Sequence, residues 1–375
     1  MVVTLAFRNL VHDRTRLALT LIGMAVAIIL VGTQMGLMLG FNRMISGVLD
    51  HAHVELWIVP PGTDAFDDPA VMGMSERYAA LAVSGVETVT PVVVGFAEWQ
   101  LRGSGTATVI VVGSDPYSAT LAPWNLVDGN VSSLAASGTV AVDQAYASDL
   151  GVSNIGDTAK IEGTPVKVSA ITSGIRSFTT SPYVFAGLDQ ARTYLGISPE
   201  KTTYLAVKVV AGADIQAVRD RIGARIKKAE VLTTAEFRRR NVWRWLFETG
   251  AGAVLLSGII LGLCVGSFIV AQTLYASIND HLKEFATLRA MGSSKSLLRR
   301  VVYCQAGLSA GLATLLATIA VALLSHATAH SALPILINLP LAALLVLLCL
   351  GMSIAAAAMT VAKVTRIQPV TVFAR

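Results

Sequence analysis

Three intervals of the chain, residues 17–42, 249–279 and 301–362, contain no Asp, Glu, Lys or Arg, and this limits the possible folds more than any other feature. A bilayer crossing needs about 20 consecutive apolar residues. The first two intervals therefore hold one crossing each, and the third is long enough for two, being interrupted by His326, His330, Pro334, Asn338 and Pro340. Four membrane helices are expected, over 17–42, 250–279, 301–325 and 340–362, with an outer loop at 326–339. A hydrophobic fraction of 54% against 14% charged residues, with a mean hydropathy of +0.63, lies outside the soluble range. The expected fold class is thus an α-helical membrane protein with four transmembrane helices and an α+β extracytoplasmic domain inserted between helices 1 and 2.

Charge sets the orientation. Lys and Arg number three in residues 1–16, five in 280–300, three in 363–375 and none in 326–339. Cytoplasmic loops collect basic residues, so both termini, a charged elbow at 280–300 and a tail at 363–375 are placed in the cytoplasm of a bacterial inner membrane. The long segment after helix 1 translocates largely regardless of its charge. The first apolar stretch exceeds a signal-peptide core and no cleavage site follows, so it is expected to remain as an anchor, with the mature chain starting at Met1. The net charge of +5 follows largely from this topology and gives no reason to expect nucleic acid. Cys264, Cys304 and Cys349 fall in or beside spans, which leaves the exported segment without a disulfide framework or metal-binding cysteine spacing.

Residues 1–16 place Val3, Phe7, Leu10 and Arg14 on one helical side, as in an amphipathic helix lying on the inner surface. In the spans, Gly32, Gly36 and Gly40, and again Gly258, Gly262 and Gly266, recur every four residues. Such stripes let helices approach closely, within or between protomers. The exported segment, 43–232, changes to short alternating strands punctuated by Gly, Pro, Ser and Asp, with helices at SERYAALAVSG and 214–229. It is expected to be a two-lobed α+β domain whose chain returns to the first lobe after residue 200. Thr233 and Glu236 form a capping box that opens a stalk helix over 233–249. That helix carries Arg238, Arg239, Arg240 and Arg244 with Trp243 and Trp245, a composition suited either to anionic lipid heads or an acidic partner surface, or to plain solvation. It is expected to run unbroken into the second span.

The elbow reads DHLKEFATLRAMGSSKSLLRR. Leu282, Phe285 and Ala286 share one helical side, and Gly292 can end the helix. Lys283, Glu284, Arg289, Ala290 and Gly292 match the K-E-x-x-x-x-R-A-x-G signature of MacB-like and FtsX-like ABC transporter permeases. The chain resembles that family also at L-A-F-R-N-L near its start and at Arg366, Ile367 and Pro369 near its end, and in layout it resembles DevC-like exporters. The resemblance implies a non-catalytic permease subunit working as a homodimer in contact with membrane lipids. A separate ABC ATPase, which binds the ATP and Mg, would dock on Leu282, Lys283, Glu284, Phe285, Arg289 and Gly292, and a periplasmic adaptor (membrane fusion) protein would complete the exporter. Its cargo would be a lipid, a glycolipid or another hydrophobic molecule. The alternative within the family is an FtsX-like transmembrane signalling subunit that activates an extracytoplasmic hydrolase.

No phosphate-cradling G-x-x-x-x-G-K-[ST] loop occurs, so the chain does not bind ATP in that way. Gly307, Ser309 and Gly311 match G-x-S-x-G, the basis of a distant alternative as an intramembrane serine protease. That motif needs a strand-to-helix turn, whereas here it lies inside an apolar helical run, where small-residue packing explains it better. His326 with His330, and His51 with His53 and Glu55 alternating along a strand face, are polar groups beside the membrane that could also hold a metal. The spans hold essentially no ionisable residue, which argues against an ion-coupled carrier.

Overall fold

The computed structural model describes residues 7, 14–101, 105–118, 120–179, 181–280, 295–329, 331 and 333–364. The chain divides into two compact units, one made of Met1–Gly40 with Gly252–Arg375 and the other of Phe41–Ala251.

The first unit is helical. Helix α1 (Arg14–Asp50) begins in it, and helices α7 (Ala251–Asp280), α8 (Lys295–Ala327) and α9 (Leu339–Val364) complete it; α2 to α6 lie in the other unit. Among the described residues three helices are long and apolar enough to cross a membrane, Leu17–Asp50, Ala251–Gln272 and Arg299–Ala327, and a shorter apolar helix covers Leu339–Ala355. The interior of the unit is lined with small side chains. Ala306, Ala310, Ala313 and Ala317 make a stripe down α8 that packs with Leu341, Leu345 and Cys349 of α9 and with Met24, Ile28 and Val31 of α1. Val254, Leu261, Phe268, Leu315, Leu323 and Leu347 point outward, as expected of surfaces solvated by hydrocarbon.

Helix α1 does not end where its charge-free run ends. It continues past Arg43 to Asp50 because Met44, Ile45, Val48 and Leu49 form a second apolar face, fully buried in the other unit. Charge marks where a span can stop, whereas burial decides where a helix stops.

The second unit is built on one large sheet. Its strands are β1 (Leu56–Val59), β3 (Val86–Gln100), β4 (Thr106–Ser114), β5 (Leu126–Gly129), β6 (Thr139–Asp143), β7 (Thr158–Ile161), β8 (Thr164–Thr172), β9 (Tyr183–Gly187), β11 (Tyr204–Val209) and β12 (Glu230–Thr233). They lie in the order β12-β1-β11-β3-β4-β9-β6-β8-β5, with β7 joined to β3 and β8. After residue 200 the chain returns to lie between β1 and β3. The long β3 changes partner midway, pairing residues 86–92 with β11 and residues 93–100 with β4. A short pair, β2 (Met72–Gly73) and β10 (Lys201–Thr202), stands apart. Helices α2 (Ser75–Leu81), α3 (Ala147–Leu150), α4 (Leu188–Leu195), α5 (Ile215–Arg225) and α6 (Thr234–Trp243) accompany the sheet. Val89, Leu205, Val207, Val218 and Ile222 fill one core, Val93, Trp99, Val111, Val142 and Val184 a second, and Trp57, Phe66, Tyr204 and Phe237 a third.

Candidate functional site

The two ends of the second unit's chain, the last turns of α1 and the stalk, meet at its base. α6 starts at the capping box, with Glu236 N–H donating to Thr233 Oγ1 at 3.1 Å and Thr233 N–H donating to Glu236 Oε2 at 2.9 Å. Phe237 and Asn241 then face inward. Phe237 is fully buried, its ring 5.9 Å from that of Trp57 and 5.6 Å from that of Tyr204. Asn241 is 2% exposed; its Nδ2 donates to the carbonyl of Ile45 on α1 at 2.7 Å, and its Oδ1 accepts from Phe66 N–H at 3.1 Å. One buried amide thus ties the stalk to the membrane helix's extension and to the loop after β1. Beside it, Arg238 Nε pairs with Asp50 Oδ1 at 2.8 Å, and Ser46 Oγ holds the other carboxylate oxygen at 2.6 Å.

The stalk arginines are mostly spent inside the domain, which corrects their reading as a basic surface. Arg240 pairs with Glu230 at 2.7 Å and Arg244 with Glu248 at 2.7 Å, while Arg238 holds Asp50. Only Arg239, which is exposed, makes no ion pair among the described residues. The tryptophans divide as well. Trp243 is 57% exposed and makes a tilted ring contact with Phe247, with centroids 4.4 Å apart, whereas Trp245 turns inward and donates from Nε1 to Asp67 at 2.9 Å. Phe178, from the loop after β8, sits between Trp245 and Phe41.

The stalk helix is also interrupted. α6 widens into a π-turn over Arg244–Glu248, and Gly250 has a φ of +80° before α7 begins. Glycine meets this left-handed conformation at no steric cost, so the expected unbroken helix gives way to a defined break.

The base carboxylates titrate in opposite senses. Burial raises the Asp67 carboxyl above its ordinary range, with the Trp245 hydrogen bond only partly offsetting this. Burial acts upward on Glu230 and Glu236 too, but hydrogen bonds from Gly62 and Arg240 to the first, and from Thr233 to the second with Arg219 nearby, hold both below the ordinary value. The contribution of Glu230 and Glu236 is therefore present above an ordinary glutamate pKa and lost as pH falls through their lowered values. That of Asp67 has the opposite sign: it is complete below the ordinary aspartate pKa and lost as pH rises through the raised value. Asp67→Asn, which keeps an acceptor for Trp245, should raise the thermal midpoint by about 2–4 °C at pH 8 and leave it unchanged at pH 3. Midpoints followed by tryptophan fluorescence check this, and an equal shift at both pH values would contradict it.

The two glycine stripes do not face one another. A Cβ at Gly258, Gly262 or Gly266 would meet Gln34, Val31 or Ala27, so the α7 stripe receives side chains of α1. A Cβ at Gly32 would meet Val321 and Leu345, and Gly36 and Gly40 lie against Ile335, Leu336 and the Pro334 carbonyl. Ser309 is buried in the middle of α8, 2% exposed, but Gly307 and Gly311 face open space, so packing accounts for the serine and not for the glycines beside it.

His51, His53 and Glu55 do not share a strand face, because the strand begins only at Leu56. The His51 ring stacks on Trp124 and contacts the Gly47 carbonyl through Nδ1, and the Glu55 carboxylate accepts from Val209 N–H. No group of three metal-ligating side chains occurs among the described residues. His326 ends α8, and His330 lies outside the described residues. So do the residues expected to dock an ATPase, Leu282, Lys283, Glu284, Phe285, Arg289 and Gly292, together with most of the amphipathic start and the Arg366 to Pro369 ending.

Asn241 escaped the sequence reading, although a signal was present. It lies four residues after Phe237, so the two share one side of the helix, and a polar residue on a buried face is there for a hydrogen bond.

Long apolar helices and a sheet-based α+β domain inserted after the first of them define a multi-pass membrane protein with a large domain outside the bilayer. The family model of the MacB-like periplasmic core domain matches residues 17–225, and that of the FtsX-like permease C-terminal region matches residues 256–369. The chain belongs to the MacB/FtsX-like family of ABC transporter permeases. It is 22% identical over 358 residues to an uncharacterized ABC transporter permease of Methanocaldococcus jannaschii, covering 90% of this chain and 87% of that one. It is also similar to the extracellular domain of the noncanonic ABC-type transporter YknZ from Gram-positive bacteria (12% identity, TM-score 0.36, 48% of this chain and 98% of that one). A further likeness is to the periplasmic region of MacB from Actinobacillus actinomycetemcomitans (12% identity, TM-score 0.39, 52% of this chain and 96% of that one). An ABC permease implies a partner ATPase subunit.

Proposed function

We propose that this permease exports a lipid, glycolipid or other hydrophobic cargo by mechanical transmission. Two copies with four spans each, termini in the cytoplasm of an inner membrane, would hold a separate ATPase on the elbow at 280–300 and a periplasmic adaptor outside. ATP-driven closure moves the elbows, the helices carry the movement outward, and the outer domains handle the cargo. The chain itself has no catalytic role. One observation supports this most strongly: Asn241 and the pair of Arg238 with Asp50 lock the stalk to the extension of α1. A base tied in this way moves as one piece, so displacement of the membrane helices is delivered to the sheet with little lost locally.

The test is purification of the tagged protein from native membranes in mild detergent, with its stoichiometric partners and bound lipids identified by mass spectrometry. Export predicts an ATPase together with an adaptor. An ATPase with a cell-wall hydrolase and no adaptor would replace export with signalling.

A further inference from the structure

The second unit contains a cleft of about 820 Å³ that the transmission reading leaves unused. It exists because β3 changes partner midway. β4 stops at Ser114 and the chain turns away through Asp115 to Ser118, leaving a gap walled by α2 on one side and the start of α4 on the other. Charged side chains in its lining comprise three cations, Arg77, Arg192 and Lys208, and three carboxylates, Glu87, Asp115 and Asp189.

The carboxylates are already engaged. Glu87 pairs with Lys208 at 2.9 Å, Asp189 pairs with Arg192 at 3.2 Å, and Asp115 accepts from Tyr117 N–H at 3.0 Å. The donors are not all used. Arg77 is half-buried and donates only from Nε, to the Val89 carbonyl at 3.0 Å, so that its two Nη groups have no acceptor among the described residues. The Arg192 side chain is 11% exposed, and its Nε is buried without an acceptor. The two walls that carry these arginines are joined through residues 200 and 201. Met74 N–H, at the start of α2, donates to the Glu200 carbonyl, and Arg192 reaches the carbonyl of the next residue, Lys201. An unmet donor is costly where it is buried, as at Arg192 Nε, and the accessible Arg77 Nη pair forms its strongest hydrogen bonds with a carboxylate. Tyr117, 80% exposed, stands at the same cleft.

We infer that this cleft binds a carboxylate-bearing polypeptide segment, with Arg77 taking the carboxylate through its paired Nη groups and the Tyr117 ring packing against the chain. The balance of three cations against three carboxylates provides no excess field for a phosphate dianion. Leu81 and Leu134 are too sparse an apolar lining to house acyl chains. The site stands independently of how the permease is driven.

Fluorescence anisotropy of a fluorescein-labelled hexaglutamate peptide, added to the full chain in phosphatidylcholine nanodiscs, tests it. The expected result is saturable binding that hexalysine does not compete for. Arg77→Gln should weaken it at least about tenfold, and Arg239→Gln, outside the cleft, should leave it unchanged. Because Arg77 also supports β3, Glu87→Gln is the second variant. It removes a competing carboxylate from Lys208 and should tighten binding several-fold, a gain that misfolding cannot produce. Absence of saturable binding, equal weakening by Arg239→Gln, or no gain with Glu87→Gln would overturn the assignment. Displacement of the peptide by inorganic phosphate or phosphatidylglycerol vesicles at equal affinity would also overturn it, in favour of a phosphate group.

Discussion

Phe237→Ala is expected to be the most damaging single change in the extracytoplasmic domain, lowering its stability by about 3–5 kcal/mol. The ring is fully buried and meets Trp57, Phe66 and Tyr204, all in edge or tilted contact. Truncation removes its transfer free energy and leaves a cavity that three rigid aromatic neighbours cannot fill. The residue also sits one turn into α6, so the same loss loosens the stalk from the sheet. In a domain of this size each kcal/mol moves the midpoint by about 2–4 °C, so a fall of roughly 6–20 °C is expected in thermal unfolding followed by tryptophan fluorescence. Tyr78→Ala, at a residue 65% exposed, should stay close to the parent. Similar midpoints for the two variants would show that the aromatic cluster is not the core it is described to be.

Asn241→Leu is the second large effect. The side chain is similar in size but returns nothing to Phe66 N–H, which is left buried without its acceptor at a cost of about 1–3 kcal/mol. The Ile45 carbonyl loses less, since α1 supplies it with a helical partner. The consequence for coupling should exceed that for stability, because the buried hydrogen bond between α1 and the stalk is lost and the remaining Arg238–Asp50 pair, whose ends are 47% and 38% exposed, is a weak polar tie. Stimulation of the partner ATPase by the reconstituted permease should fall while the protein remains folded. Parent-like stability together with parent-like stimulation would remove Asn241 from the account.

What was legible in the sequence follows from periodicity and local chemistry. Charge-free runs located the long apolar helices, three of which are long and apolar enough among the described residues to cross a membrane, alternation located strands such as Val86–Gln100 and Thr106–Ser114, and Thr233 with Glu236 announced the start of α6. The base network was hidden, because its partners are far apart along the chain. Asp50 meets Arg238, and Asn241 meets the backbone of Ile45 and Phe66, contacts that no local pattern encodes. The break at Gly250 and the length of α1 were missed for a related reason. An apolar composition does not reveal where a helix widens, and a charge such as Arg43 ends a span without ending a helix.

The proposed transmission depends most directly on ATPase docking at the elbow at 280–300, and one comparison tests it. The tagged parent, Glu284→Lys and Arg289→Glu are purified side by side from the same membranes, and the ABC ATPase that accompanies each is quantified. The parent should carry the ATPase in stoichiometric amount, and both reversals should lose it while remaining in the membrane at normal levels. Undiminished ATPase in both reversals, or none with the parent in an intact complex, would contradict the account.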